Sequence, residues 1–150
     1  MPAAIVRGAD RRDVPALLRM AHDFLEASPL PLPWSEHWVE GRFLAAIANR
    51  DDQLVCVLEV DGSVRGMICA QLGYSPFAPV KIATELAVWI DPGARGSVRN
   101  LIRLVCELEV WAAGRGCAYS GLMSLGDSRF DSVLERLGYT PIERHYLKEL

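Results

Sequence analysis

The chain has 150 residues, 51% of them hydrophobic, and a formal net charge of −3, enough to bury one core and consistent with a single domain over 1–150. That charge gives no general attraction to nucleic acid, and no apolar run reaches the length of a membrane span. Residues 1–20 carry no signal-peptide apolar region, and Cys56, Cys69, Cys106 and Cys117 fit no zinc spacing, so the expectation is a cytoplasmic protein with buried free thiols and no metal site.

In chain order, Val14, Leu17, Leu18, Ala21, Phe24 and Leu25 mark the buried face of a first helix, closed by Ser28-Pro29. Ser35 is placed to cap a second helix whose apolar positions include Trp38, Val39, Phe43, Leu44 and Ile47. Residues 53–60 and 64–72 read as two strands around Asp61-Gly62, a strong hairpin signal. Residues 84–90 are apolar almost throughout and rich in β-branched and aromatic side chains, as a strand buried on both faces should be. Asp91-Pro92 stops that strand, and Ser97 caps a long helix with Val98, Leu101, Ile102, Val105, Leu108, Trp111 and Ala112 on one face. Gly114 and Gly116 end it; a strand over 117–125, a short helix over 128–137 and a final strand over 142–147 follow. His22, His37 and His145 stand apart and form no metal motif.

Strand 84–90, the loop Asp91-Pro92-Gly93-Ala94-Arg95-Gly96 and the helix after it follow one another without a spacer. A helix N-terminus presents unpaired N–H groups and a partial positive charge, so a glycine-containing loop opening such a helix suits a phosphate or pyrophosphate. The phosphate-binding patterns Gly-x-Gly-x-x-Gly and Gly-x-x-x-x-Gly-Lys-Ser/Thr are both absent.

The run from Ile90 to Asn100 resembles motif A of the GNAT superfamily, the acyl-CoA-dependent N-acyltransferases, whose loop wraps the pyrophosphate of coenzyme A. The match is good up to Gly96; Gly93 stands where Gln or Arg is usual, and Val98 where Gly or Ala is usual. The resemblance covers nearly the whole chain. Residues 5–13 look like the family's opening strand and helix entry, with Asp10 or Asp13 at the helix start, and Gly138-Tyr139 resembles the Gly-Phe/Tyr after its fourth helix. It implies an α/β, three-layer fold with a central mixed, largely antiparallel sheet flanked by helices on both faces. Only one strand, or two stubs, remains after the fourth helix where two are common, so either the last strand is absent or a second subunit completes that edge, and a homodimer is expected.

The resemblance further implies transfer of an acetyl group from acetyl-CoA to a primary amine of a small molecule or protein. It makes Glu85 the general base, because the family carries an acid on this central strand, just before a bulge. Burial would raise the pKa of such a carboxyl towards the useful range. The alternative is a Glu85 at the exposed start of the strand, paired with Lys81 or an arginine. Val88, Trp89 and Ile90 would pair through their backbone with the pantetheine arm, and Arg95, Gly96, Ser97, Val98, Arg99 and Asn100 would hold the pyrophosphate. Leu134 occupies the family's usual general-acid tyrosine position, leaving Tyr119, Tyr139, Tyr146, Ser124 or water for that role. The proline-stiffened segments 28–34 and 73–79 are candidate acceptor walls, or cover for a sheet edge or dimer mate, and His145 borders the acceptor side. Gly93, Val98 and Leu134 also leave open a GNAT-shaped binding module without turnover.

Overall fold

A computed structural model of the chain describes residues 3–150. Five strands, β1 (Ala4–Gly8), β2 (Gln53–Val60), β3 (Ser63–Tyr74), β4 (Lys81–Ile90) and β5 (Tyr119–Gly121), form one sheet in sequence order. The first four are antiparallel neighbours, and β5 runs parallel to β4. Helices α1 (Val14–Ala27) and α2 (Glu36–Ala48) pack on one face and α3 (Val98–Gly114) on the other; α4 (Ser128–Arg136) follows β5. This is the three-layer α/β arrangement with a mixed, mainly antiparallel sheet that the sequence leads one to expect.

The strands read as continuous apolar runs because both faces of the sheet are covered. Along β2, Val55 and Val57 turn to α1 and α2 with Met67 and Cys69, while Leu54, Cys56 and Leu58 turn to α3 with Ile68 and Ala70. Each large side chain buried this way, Leu17, Met20, Leu104 and Leu108 among them, contributes roughly 1.5–3 kcal/mol. Asp61 and Gly62 both take positive φ, 49° and 77°, the backbone that a two-residue hairpin turn demands. Asp10 and Asp13 act together: they form a capping box at the entry to α1, and Asp13 is tied to Arg7 at 2.8 Å. Ser35 and Ser97 cap α2 and α3 through their hydroxyls.

Several expectations need correction. The strand expected over 117–125 is only Tyr119–Gly121, because beyond Gly121 the chain swings away from β4. No strand forms over 142–147; that segment has no regular structure, with Ile142 88% and Tyr146 89% exposed, since no neighbouring strand lies alongside to supply a ladder. Trp38 is 69% exposed rather than core, and α2 buries Phe43 and Ala46 instead. Met20 and Leu104 join the buried faces of α1 and α3, whereas Val98 stands half in solvent at the first turn of α3. Of the cysteines, Cys56 and Cys69 are buried, Cys117 is half-buried and Cys106 is exposed on the outer side of α3. Among the described residues, no helix is long and apolar enough to cross a membrane.

Candidate active site at the open edge of β4

Two irregularities in the sheet set up the site. β4 pairs with β5 only at Ile82, Ala83 and Thr84, so from Glu85 to Ile90 the β5-facing edge of β4 is free of strand partners. On its other side, β4 follows β3 with a bulge: Cys69 faces Ala87 and Ala70 faces Glu85, leaving Leu86 as the extra residue. Glu85 therefore sits where the two parallel strands splay, directly before the bulge.

Glu85 is 3% exposed, and its Oε2 accepts a hydrogen bond from the Met123 backbone N–H at 3.0 Å. Burial pushes its carboxyl up to about 7, against the smaller downward pull of the Met123 N–H. The ion-pair alternative does not hold: Lys81 donates to the Arg115 carbonyl at 3.3 Å, and no arginine meets Glu85 among the described residues. A buried carboxyl with one backbone donor and no cation is poised to exchange a proton near neutrality.

Beyond Ile90 the loop forms a short 3-10 turn over Pro92–Ala94 and then enters α3. Among the described residues no acceptor meets the backbone N–H groups of Gly96, Ser97 and Val98, and a Cβ at Gly96 would meet nothing within 4 Å. Open N–H groups at the N-terminus of a long helix suit an anion. The expected cradle residues divide by role. Asn100 is buried, donating to the Ala94 carbonyl at 3.0 Å and accepting from Arg103, so its side chain holds the loop's shape. Arg95 turns back, donating to the Ile90 carbonyl at 2.6 Å with its guanidinium 4.5 Å from the centre of the Trp89 ring. The Ser97 hydroxyl is spent on the Arg99 N–H. Arg99 is exposed and points no hydrogen bond to the protein among the described residues.

Two residues that sequence reasoning passed over organise this loop. Asp91, expected only to stop the strand, is buried and accepts from both nitrogens of the Arg19 fork at 3.0 and 2.9 Å and from the Trp89 indole at 3.0 Å. Burial pushes its carboxyl up, but the Arg19 and Trp89 hydrogen bonds outweigh this and hold it below the usual carboxylate range. The second is Arg65, the extra residue of a bulge in β3, where Leu58 faces Gly66 and Glu59 faces Val64. The bulge turns Arg65 onto the loop: its Nε lies 3.3 Å from Asp91, and a terminal nitrogen lies 2.8 Å from where a Cβ at position 93 would stand. Gly93 thus leaves room for a guanidinium that arrives from β3. A Gly opposite a distant arginine carries no signal in sequence, because the pairing spans the β3–β4 connection.

The remaining candidates lie farther out. Tyr139 donates to Glu109 of α3 at 2.9 Å and shares a 2.8 Å hydrogen bond with Ser120 of β5. Burial, opposed by Ser120 and reinforced by Glu109, lifts its hydroxyl to about 12. Leu134 is buried in the core side of α4, Tyr119 and Tyr146 are exposed, and Ser124 accepts from the Gly126 N–H. Trp34, from the first candidate acceptor segment, packs edge-on to His22 at 5.0 Å and lines a cleft of about 810 Å3 between α1 and α2. In the second segment Phe77 is fully in solvent, and His145 pairs with Glu143 in the exposed tail.

No protein-family model matches the chain. No curated protein sequence matches it either. Solved structures do match. A GNAT family acetyltransferase from Staphylococcus aureus is 19% identical with a TM-score of 0.72, covering 99% of both chains. Glucosamine-6-phosphate N-acetyltransferase from Arabidopsis thaliana is 15% identical with a TM-score of 0.77, covering 98% of both chains. A predicted acetyltransferase from Clostridium acetobutylicum, solved with acetyl-CoA, is 14% identical with a TM-score of 0.78, covering 98% of this chain and 96% of that one. These likenesses show that the chain has the GNAT acetyltransferase fold over nearly its whole length.

Proposed function

We propose that this chain, acting as one domain with the GNAT fold, is an N-acetyltransferase that moves the acetyl group of acetyl-CoA onto a primary amine, with Glu85 as general base. The observation that carries the reading is the conjunction of a buried, cation-free Glu85 at the splay of β4 and β5 with the open N–H groups of Gly96, Ser97 and Val98 at the end of the same strand. A like-folded structure solved with acetyl-CoA supports the choice of donor.

In this reading the diphosphate sits on the N–H groups of residues 96–98, with Arg99 and Arg65 supplying charge and Asn100 and Asp91 holding the loop in shape. The pantetheine arm runs down the free edge of β4 past Val88, whose backbone offers the pairing groups; the Trp89 backbone turns to β3, as that of Asp91 does, and the Ile90 carbonyl is already occupied by Arg95. Glu85, ionised, takes one proton from the substrate ammonium. The freed nitrogen lone pair forms the C–N bond at the thioester carbonyl, the C–S bond breaks with its pair going to sulfur, and the second nitrogen proton passes to the thiolate or to water. A thiolate is a good enough leaving group that no dedicated acid is required, which suits a site with Leu134 in the core and Tyr139 committed to Glu109. The test is turnover of amines by wild type and Glu85→Gln. A large loss with CoA affinity retained supports the assignment, and unchanged turnover removes Glu85 from the mechanism.

The short β5 and the C-terminal tail with Ile142, Tyr146 and Leu147 exposed support a second copy of the chain covering this edge. Sedimentation at micromolar concentration checks it: a dimer agrees, a monomer refutes it.

A further inference from the structure

Between α1, α2 and the sheet lies a partly open cavity of about 190 Å3 that acetyl transfer leaves unused. Phe24, Val39, Phe43, Cys69, Leu86 and Ala87 are among its walls, and the lining is almost wholly apolar. A cavity of about 150 Å3 with such walls stays dry and holds benzene, so this one has room for about six carbon atoms.

Its place in the fold says what could fill it. Leu86 and Ala87 of the wall are the bulge residues, one step before the Val88–Ile90 edge assigned to the pantetheine arm. An arm anchored at the loop and running along β4 from Ile90 towards Val88 ends at Ala87 and Leu86, which puts the thioester beside these two wall residues. The amine belongs elsewhere. Glu85 follows Ala83 of the α3-side cluster by two positions along β4, which puts both on the same face, and its carboxylate is held by Met123 beyond β5. The cavity has most of its walls on the opposite, α1 and α2 side, where Ala87, Cys69 and Phe43 pack. An amine beside Glu85 is therefore on the other face of β4, and the group directed into the cavity is the one attached to the thioester carbonyl.

We propose that this cavity is an acyl-chain subsite, and that the protein accepts unbranched acyl-CoA thioesters of about four to six carbons in preference to acetyl-CoA. The proposal rests on the acyltransferase reading and replaces acetyl-CoA by a longer thioester as its preferred donor. The chemistry of transfer is unchanged; the longer chain adds only apolar burial, up to about fourfold in affinity for each methylene fully removed from water.

Calorimetric titration of the full chain with free CoA and with acetyl-, butyryl-, hexanoyl- and decanoyl-CoA tests this. The expected result is tightening from acetyl to hexanoyl by at least tenfold, with no further gain at decanoyl once the cavity is full. Ala21→Leu, which places a branched side chain on the cavity wall from α1, should remove that gain while leaving free CoA and acetyl-CoA affinity unchanged; Ala46→Val on α2 serves if Ala21→Leu does not fold. Thioesters that bind equally whatever their chain length overturn the subsite and leave the acetyltransferase reading standing. A gain that survives both wall variants also overturns it. Failure of free CoA and every thioester to bind overturns the acyltransferase reading itself, and the subsite with it.

Discussion

Replacing Glu85 with glutamine tests the site's electrostatics through stability, independently of any substrate. In the native protein burial lifts the Glu85 carboxyl from its ordinary 4.5 to about 7. Between these values the native state keeps a proton that the unfolded chain has released. The contribution is therefore fully present below about pH 4.5 and is lost as pH rises through about 7. At about 1.36 kcal/mol per pH unit, the ionised side chain costs the fold about 3 kcal/mol above pH 8. A glutamine in its place carries no charge, and the amide oxygen can still accept from the Met123 N–H. Glu85→Gln should thus match wild type near pH 4.5 and exceed it by about 3 kcal/mol at pH 8.5, read as the midpoint and slope of urea unfolding at each pH. A difference between the proteins that does not change with pH would mean that Glu85 is not held in a desolvated environment, and the general-base argument would lose its physical basis.

The loop yields three further predictions. Asp91→Ala releases Arg19, Arg65 and Trp89 together; because both arginines are half-exposed and can return to water, the expected cost is about 2 kcal/mol rather than that of a fully buried pair, and a denaturation midpoint equal to wild type would contradict it. Arg65→Ala should weaken CoA binding about tenfold, the scale of one charge-assisted hydrogen bond, while sparing pantetheine, which lacks the diphosphate; equal losses for both ligands would show Arg65 to be a scaffold residue. Gly96→Trp should abolish CoA binding with the thermal midpoint preserved, since a side chain there projects into open space; undiminished binding would remove the 96–98 N–H groups from the cradle.

The fold was legible because its signals are local. Serine caps at 35 and 97, the Asp61-Gly62 turn, and apolar spacings of three and four or runs without polar breaks each report on a few neighbouring residues. The family resemblance singled out Glu85, and a carboxylate inside an apolar strand is unusual in itself; the sequence left burial and an exposed ion pair both open, and the structure gives burial. What escaped depends on distant contacts. Arg65 reaches the loop because of a bulge in β3, and Asp91 is organised by Arg19, 72 positions earlier in the chain. The last strand failed for the complementary reason: 142–147 has the composition of a strand, but no neighbour lies beside it, and composition alone cannot supply a ladder. The apolar flanks of Cys106 suggest burial, yet α3 turns that position outward.

The central claim, that the open edge of β4 and the N-terminus of α3 receive an acyl-CoA, is tested most directly by calorimetric titration of the purified protein with free CoA. Binding at micromolar concentrations, lost in Gly96→Trp, is the predicted result. No heat of binding at millimolar CoA would contradict the claim and leave the fold a scaffold without its cofactor.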